Sequence, residues 1–158
     1  MATKRILDTL ADNPAQMAAL ISDLTANQLR ASPDSHGWSA NDLLAHLRSC
    51  ADVWGSCIAS MPAQDDPTIR IVSPRTSISS TNYRELEYQV SWDVFIEQRI
   101  NLLLILKSPS SQDWMRPAIS KDARLTLNRT VQFYADLLAR HERSHLKQLR
   151  QIFEAILA

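Results

Sequence analysis

Glycine is nearly absent: the chain holds two in 158 residues, beside seven prolines and an apolar content of 45%. Tight hairpin turns depend on residues that accept positive φ, so a fold built from hairpins is disfavoured and an all-α fold is predicted. Cysteine is as scarce. Cys50 and Cys57 lie seven apart in a helical pattern, about 10 Å along the axis at 1.5 Å per residue, and cannot bridge each other. No run of about 18 apolar residues occurs and no charged, apolar and small-residue signal opens the chain, so the expectation is a cytoplasmic protein that neither spans a membrane nor is exported. An excess of either charge is missing too. Lysine plus arginine and aspartate plus glutamate both number 17, leaving no global field to attract a polyanion, which argues against nucleic acid as the main partner.

A chain of this length suits one domain, 1–158, able to bury about 68–70% of the surface its unfolded form exposes. Residues 3–12 have a short helical pattern, and Asn13-Pro14 reads as an N-cap with proline at the first position of a second helix running to about Ala26. The apolar stripe Met17, Leu20, Ile21, Leu24 has the spacing of one buried face. Ser39 and Asp42 resemble a capping box that opens a helix to about Met61, its stripe reading Leu43, His46, Cys50, Val53 or Trp54, Cys57, Met61. Residues 62–82, with three prolines, read as a loop of about twenty residues, a length that needs a reason in a compact domain. Parallel flanking helices supply one, because the connection must then return along the bundle, about 33 Å for 22 helical residues. A helix from about Tyr83 to Lys107 follows, and another from about Thr126 to Leu157 with the stripe Leu127, Val131, Tyr134, Leu138, His141, His145, Leu149, Ile152, Ile156. Four helices with one crossover make a four-helix bundle.

Three of the four histidines stand where the helical period demands an inward-facing apolar residue. Any one alone reads as a core histidine with a satisfied hydrogen bond. His141 and His145, four apart, sit one above the other about 6 Å apart and can share an ion, and His46 can face the middle of the last helix. Three imidazoles with one open position describe a catalytic zinc or nickel site. His36, in a loop before Trp38, reads as solvated. Cys50, one turn from His46, is within reach of such a metal, although a free cysteine in a stripe is usually a small apolar residue. Tyr134 and Trp54 read as core. The string His141-Glu142-Arg143-Ser144-His145 matches the H-E-x-x-H pattern of zinc proteases, but only thirteen residues follow it and Glu154 is their sole carboxylate, which leaves little room for the downstream third ligand. Glu142, about 100° around the helix from His141, is the candidate catalytic residue, as an acceptor behind the ligands or a proton carrier.

The segments GWSANDLLAHLRSCADVW, DWMRPAI and LLARHERSHLKQL resemble the DinB-like superfamily of metalloenzymes over nearly the whole chain. The resemblance implies an up-down-down-up bundle with a long crossover between helices two and three, and a divalent metal, often nickel or zinc, on His46, His141 and His145. It matches the family's Asp-Trp pair to Asp113 and Trp114 and its helix-three arginine to Arg99. Relatives commonly carry a glycine where Ala123 and Arg124 stand. Thiol S-transferases and mycothiol-dependent isomerases among the relatives imply a metal-dependent transferase or hydrolase acting on a small-molecule substrate, with a low-molecular-weight thiol as candidate cosubstrate. Two rival readings are a metal-stabilised ligand-binding or stress-response module without turnover, and purely structural histidines. Bundles of this kind often pair through an apolar strip, so a homodimer is a further expectation.

Overall fold

The computed structural model describes residues 2–34, 37–62, 67–108, 111–121 and 124–158. In chain order the elements are α1 (Ala2–Ile21), α2 (Ala26–Arg30), α3 (Ala40–Ser60), β1 (Thr68–Arg70), α4 (Pro74–Ile78), a 3-10 turn (Tyr83–Glu85), α5 (Tyr88–Lys107), α6 (Ser111–Trp114), β2 (Pro117–Lys121), β3 (Thr126–Thr130) and α7 (Val131–Leu157). The long helices α1, α3, α5 and α7 form the bundle. His36 and Ala123 lie outside the described residues.

Helix α3 starts where the capping box requires. Ser39 Oγ accepts from the Asp42 amide at 3.1 Å, and Asp42 Oδ2 accepts from the Ser39 amide at 3.1 Å. Helix directions follow from their contacts. Arg48 Nη1 donates to Ser91 Oγ at 3.2 Å and Gln98 bonds Asp52, so numbers climb together along α3 and α5, which are parallel. Trp38 and His46 meet His145 while Trp54 meets His141, so α3 and α7 run antiparallel. Leu10 packs in one core cluster with Leu138, and Met17 in another with Leu146 and Leu149, so α1 and α7 run parallel. The topology is up-down-down-up, and the segment between α3 and α5 is the return that parallel neighbours need.

Several local expectations are corrected. Asn13-Pro14 does not break the first helix: α1 continues through Pro14. The missing amide forgoes one bond, to the Leu10 carbonyl, while Leu10, Asn13, Pro14 and Met17 are all buried across that point. The helix ends at Ile21, and a separate turn, α2, begins on a Thr25–Gln28 capping box. The crossover is not a plain loop, because it carries β1 and α4. The last helix begins five residues later than expected. Residues 126–130 are β3, paired antiparallel with β2, which pairs parallel with β1. This small sheet lies beside the cluster of Leu106, Trp114, Ala118, Val131 and Tyr134. Tyr134 is core as expected, its hydroxyl 2.8 Å from Ser120 Oγ. Trp114 is buried and its indole N–H donates to the Leu106 carbonyl at 3.2 Å, near the end of α5.

A buried polar lock ties α1, α5 and α7 together. Arg99 is 5% exposed and pairs with Glu142, which is 1% exposed, and Asn13 Nδ2 donates to the other Glu142 oxygen at 3.0 Å. Removing one member of such a pair strands a buried charge, whereas replacing both with apolar groups is often nearly neutral. Arg99→Leu is therefore expected to cost about 3–5 kcal/mol in urea denaturation, and Arg99→Leu combined with Glu142→Leu to recover much of that loss. A single variant as stable as the parent would remove the lock from this description.

Candidate metal centre

Helical periodicity puts His46 on the face of α3 turned to α7, and His141 and His145 one turn apart on the face of α7 turned back. The sequence-predicted trio is brought together. His46 Nε2 lies 3.4 Å from His141 Nε2, and His145 Nε2 lies 3.3 Å from that same atom. Two nitrogens each about 2.0–2.1 Å from one ion at a tetrahedral angle stand about 3.4 Å apart. Cys50 Sγ is 3.5 Å from His46 Nε2 and 4.0 Å from His141 Nδ1. One donor atom each from His46, Cys50 and His141 lies within 4.8 Å of the other two, close enough to hold a metal ion.

Protonation states sharpen this geometry. Burial, with the charge of neighbouring imidazoles, pushes His46 and His141 down to about 4, and the positive charges of Arg75 and Arg84 push His46 the same way. His145 is also lowered by burial, against the opposing pull of its hydrogen bond to Gln148. All three rings are thus neutral at pH 7, with one proton each. Gln148 Oε1 can only accept, so His145 Nδ1 donates to it at 2.8 Å and His145 Nε2 presents a lone pair. His141 Nε2 either carries a proton or does not. In either state at most one of its two short contacts is a hydrogen bond, and the other sets like groups face to face. A cation satisfies all three nitrogens at once, so the residues present fit one. Burial pushes the Cys50 thiol up to about 12, with the Glu142 carboxylate adding to the shift, so without a cation it is a neutral thiol.

Glu142 is not turned to the imidazoles. Both its oxygens are engaged, by Arg99 and Asn13. Trp54, read as core, is half-buried with its ring edge-on to His141 at 5.0 Å between centroids, and Trp38 stacks on His145 at 6.1 Å. Gln148 was missed by the sequence reading. Its signal was the three-residue step from His145, which puts the two on one helix face.

A family model described as the DinB superfamily matches residues 9–149. No curated protein matches the chain. Among solved structures, the chain is similar to YfiT from Bacillus subtilis, described as "a probable metal-dependent hydrolase with an unusual four-helix bundle topology". The TM-score is 0.79 at 15% identity, over 95% of this chain and 85% of that one. At that identity the likeness shows the fold, the same four-helix bundle. The family match spans most of the sequence, from within α1 to the histidine pair on α7 and beyond, and the protein belongs to the DinB superfamily.

Proposed function

We propose that this protein is a metal-dependent hydrolase of a small molecule, with one divalent cation held by His46, His141 and His145. The observation that carries the reading is the convergence of two neutral imidazoles on His141 Nε2, at 3.3 and 3.4 Å. Membership of the DinB superfamily and the likeness to YfiT, described as a probable metal-dependent hydrolase, support it. Zinc and nickel are the ions that an imidazole set of this kind suits. A cation bound here supplies Lewis acidity to a substrate carbonyl or phosphoryl group and lowers the pKa of water drawn to it.

The chain's own residues prepare the site. Gln148 fixes the His145 tautomer, so that Nε2 is free to ligate. Trp38 and Trp54 cover two flanks of the imidazole cluster with ring surface. Glu142 serves as a positioning residue in this reading, setting the rotation of α7 through Arg99 and Asn13. Cys50 stands beside the ligands and is not one of them. A thiol transferase, the other chemistry of the resemblance, is separated by whether turnover requires an added low-molecular-weight thiol.

Protein purified without a histidine tag is expected to hold about one zinc or nickel ion per chain by elemental analysis. His46→Ala, His141→Ala and His145→Ala should each empty the site, Cys50→Ser should leave it filled, and Gln148→Ala should weaken the metal by about 10–100-fold. Loss of metal from Cys50→Ser with retention by His145→Ala would reassign the ligands to His46, Cys50 and His141. Hydrolysis of a panel of small esters and amides should be lost in the same histidine variants. Full activity in a metal-free histidine variant would end the hydrolase reading.

Acid should act on the metal-free protein through the same rings. Their folded pKa values lie below the ordinary 6.5, so between pH 6.5 and about 4 the unfolded chain binds more protons than the folded one. The stability contribution of the neutral rings is fully present above pH 6.5 and declines as pH falls towards 4. Denaturation midpoints across that window should fall with pH, and His46→Gln with His141→Gln should flatten the slope.

A further inference from the structure

A cleft of about 380 Å³ opens on the imidazole cluster, and its lining includes Trp38, His46, Arg75, Arg84, His145 and Gln148. We propose that Arg75 and Arg84 form an anion-binding pair that selects substrates carrying a carboxylate or phosphate group. The inference rests on the hydrolase reading for the claim that substrate enters this cleft.

Both arginines come from the crossover, and both are fastened to the helix that bears His46. Ser49 Oγ, fully buried on α3, donates to the Pro74 carbonyl at 2.8 Å, next to Arg75. Asn41 Nδ2, also buried on α3, donates to the Arg84 carbonyl itself at 3.1 Å. The backbone at these two points is therefore held from inside the bundle, although the side chains are exposed.

Neither guanidinium has a carboxylate partner among the described residues, and none of the described residues lining the cleft is acidic. Surface pairing does occur elsewhere, Lys4 with Asp8, Arg30 with Glu87 and Arg140 with Asp136, and what distinguishes Arg75 and Arg84 is that they share one cleft. An isolated unpaired arginine on a surface is ordinary solvation. Two on the wall of one cleft, beside neutral imidazoles and close to a cation site, concentrate positive potential where a small molecule would dock. Arg84 also lies over the Trp38 ring, 5.8 Å from its centroid, a placement that limits the side chain's freedom while its donors stay available. Guanidinium donors form a planar fork that matches carboxylate and phosphate oxygens, and the shared chemistry is a compact oxyanion on the substrate, away from the bond that is cleaved.

The test titrates the full chain by calorimetry at fixed ionic strength with inorganic phosphate and with succinate, and with glycerol as a neutral control. Each titration is run on metal-loaded and on chelator-stripped protein, so that an anion held by the metal alone is seen as such. The expected result is binding of at least one anion to stripped protein, weakened about tenfold or more by Arg75→Gln with Arg84→Gln, and only partly weakened by the corresponding lysine pair, which keeps charge without the fork. Saturation by phosphate alone assigns a phosphoryl substrate, and saturation by succinate alone a carboxylate. Absence of anion binding to the stripped parent, or unchanged affinity in the glutamine pair, overturns the proposal; thermal melting confirms that the variants fold. Metal content is read on the same samples. A parent that binds anion but no metal counts against the hydrolase reading and for the arginine pair, while one that binds metal but no anion does the reverse.

Discussion

His46 and His141 meet across the antiparallel seam of α3 and α7 with 3.4 Å between their ring nitrogens, and that contact sets terms for the rest of the molecule. It needs α3 and α7 to hold a fixed register and a fixed rotation about their axes. Register comes from apolar layers on both sides: Leu43, Leu44 and Leu47 pack with Leu146 and Leu149 on one side, and Cys50, Cys57 and Ile58 with Val131, Tyr134 and Leu138 on the other. Rotation of α7 is held by Glu142, the residue directly after His141. A slip of α7 that moved the histidines would drag Glu142 away from Arg99 and Asn13 and leave charge unpaired in the core, a penalty of several kcal/mol. The ion pair and the imidazole cluster are two faces of one helix turn, and each locates the other.

Parallel packing of α3 and α5 is the second constraint, because it forces a long return between them. The chain uses that return. Its first part adds β1 to the β2–β3 hairpin, and its second part lays α4 and the 3-10 turn along α3 with Arg75 and Arg84 at the cleft. Length that topology demanded thus became one wall of the site, tied to α3 by Ser49 and Asn41.

Legibility in the sequence followed the range of the interaction. Period 3.6 alone found the faces of α3 and α7, hence the three histidines and Cys50, and the Ser39–Asp42 box marked the start of α3 within a residue. Sites that depended on local chemistry with two meanings were misread. Asn13-Pro14 is a good helix start in isolation, and only the distant Glu142 makes Asn13 a buried mid-helix donor. Leu127 and Val131 keep helical spacing by coincidence, so β3 was absorbed into α7; Thr126 and Thr130 lean towards a strand, but pairing with β2 is what decides it. Glu142, read from its place about 100° from His141 as an acceptor behind the ligands or a proton carrier, has both its oxygens engaged by Arg99 and Asn13, partners too distant in the chain for spacing to reveal. Arginines in a segment without periodicity offered no signal at all.

Charge balance connects these pieces. The core's buried carboxylate, Glu142, is already spoken for by Arg99. The imidazoles are neutral, and the cleft beside them is lined by two arginines without acidic partners among the described residues. A divalent cation among these groups would leave the pocket with a large positive excess in a place partly shielded from water, where potentials are screened least. A thiolate at Cys50 would offset one unit of that excess: without a cation its burial and the nearby Glu142 carboxylate hold the thiol neutral, and a bound cation works the other way. Among the described residues no acidic side chain lines the cleft. In the proposed reading an anionic group on the substrate would supply compensation at the arginines while leaving the cation's open position for the bond to be cleaved, so the same electrostatics that would make the loaded site unfavourable when empty of substrate would make it selective.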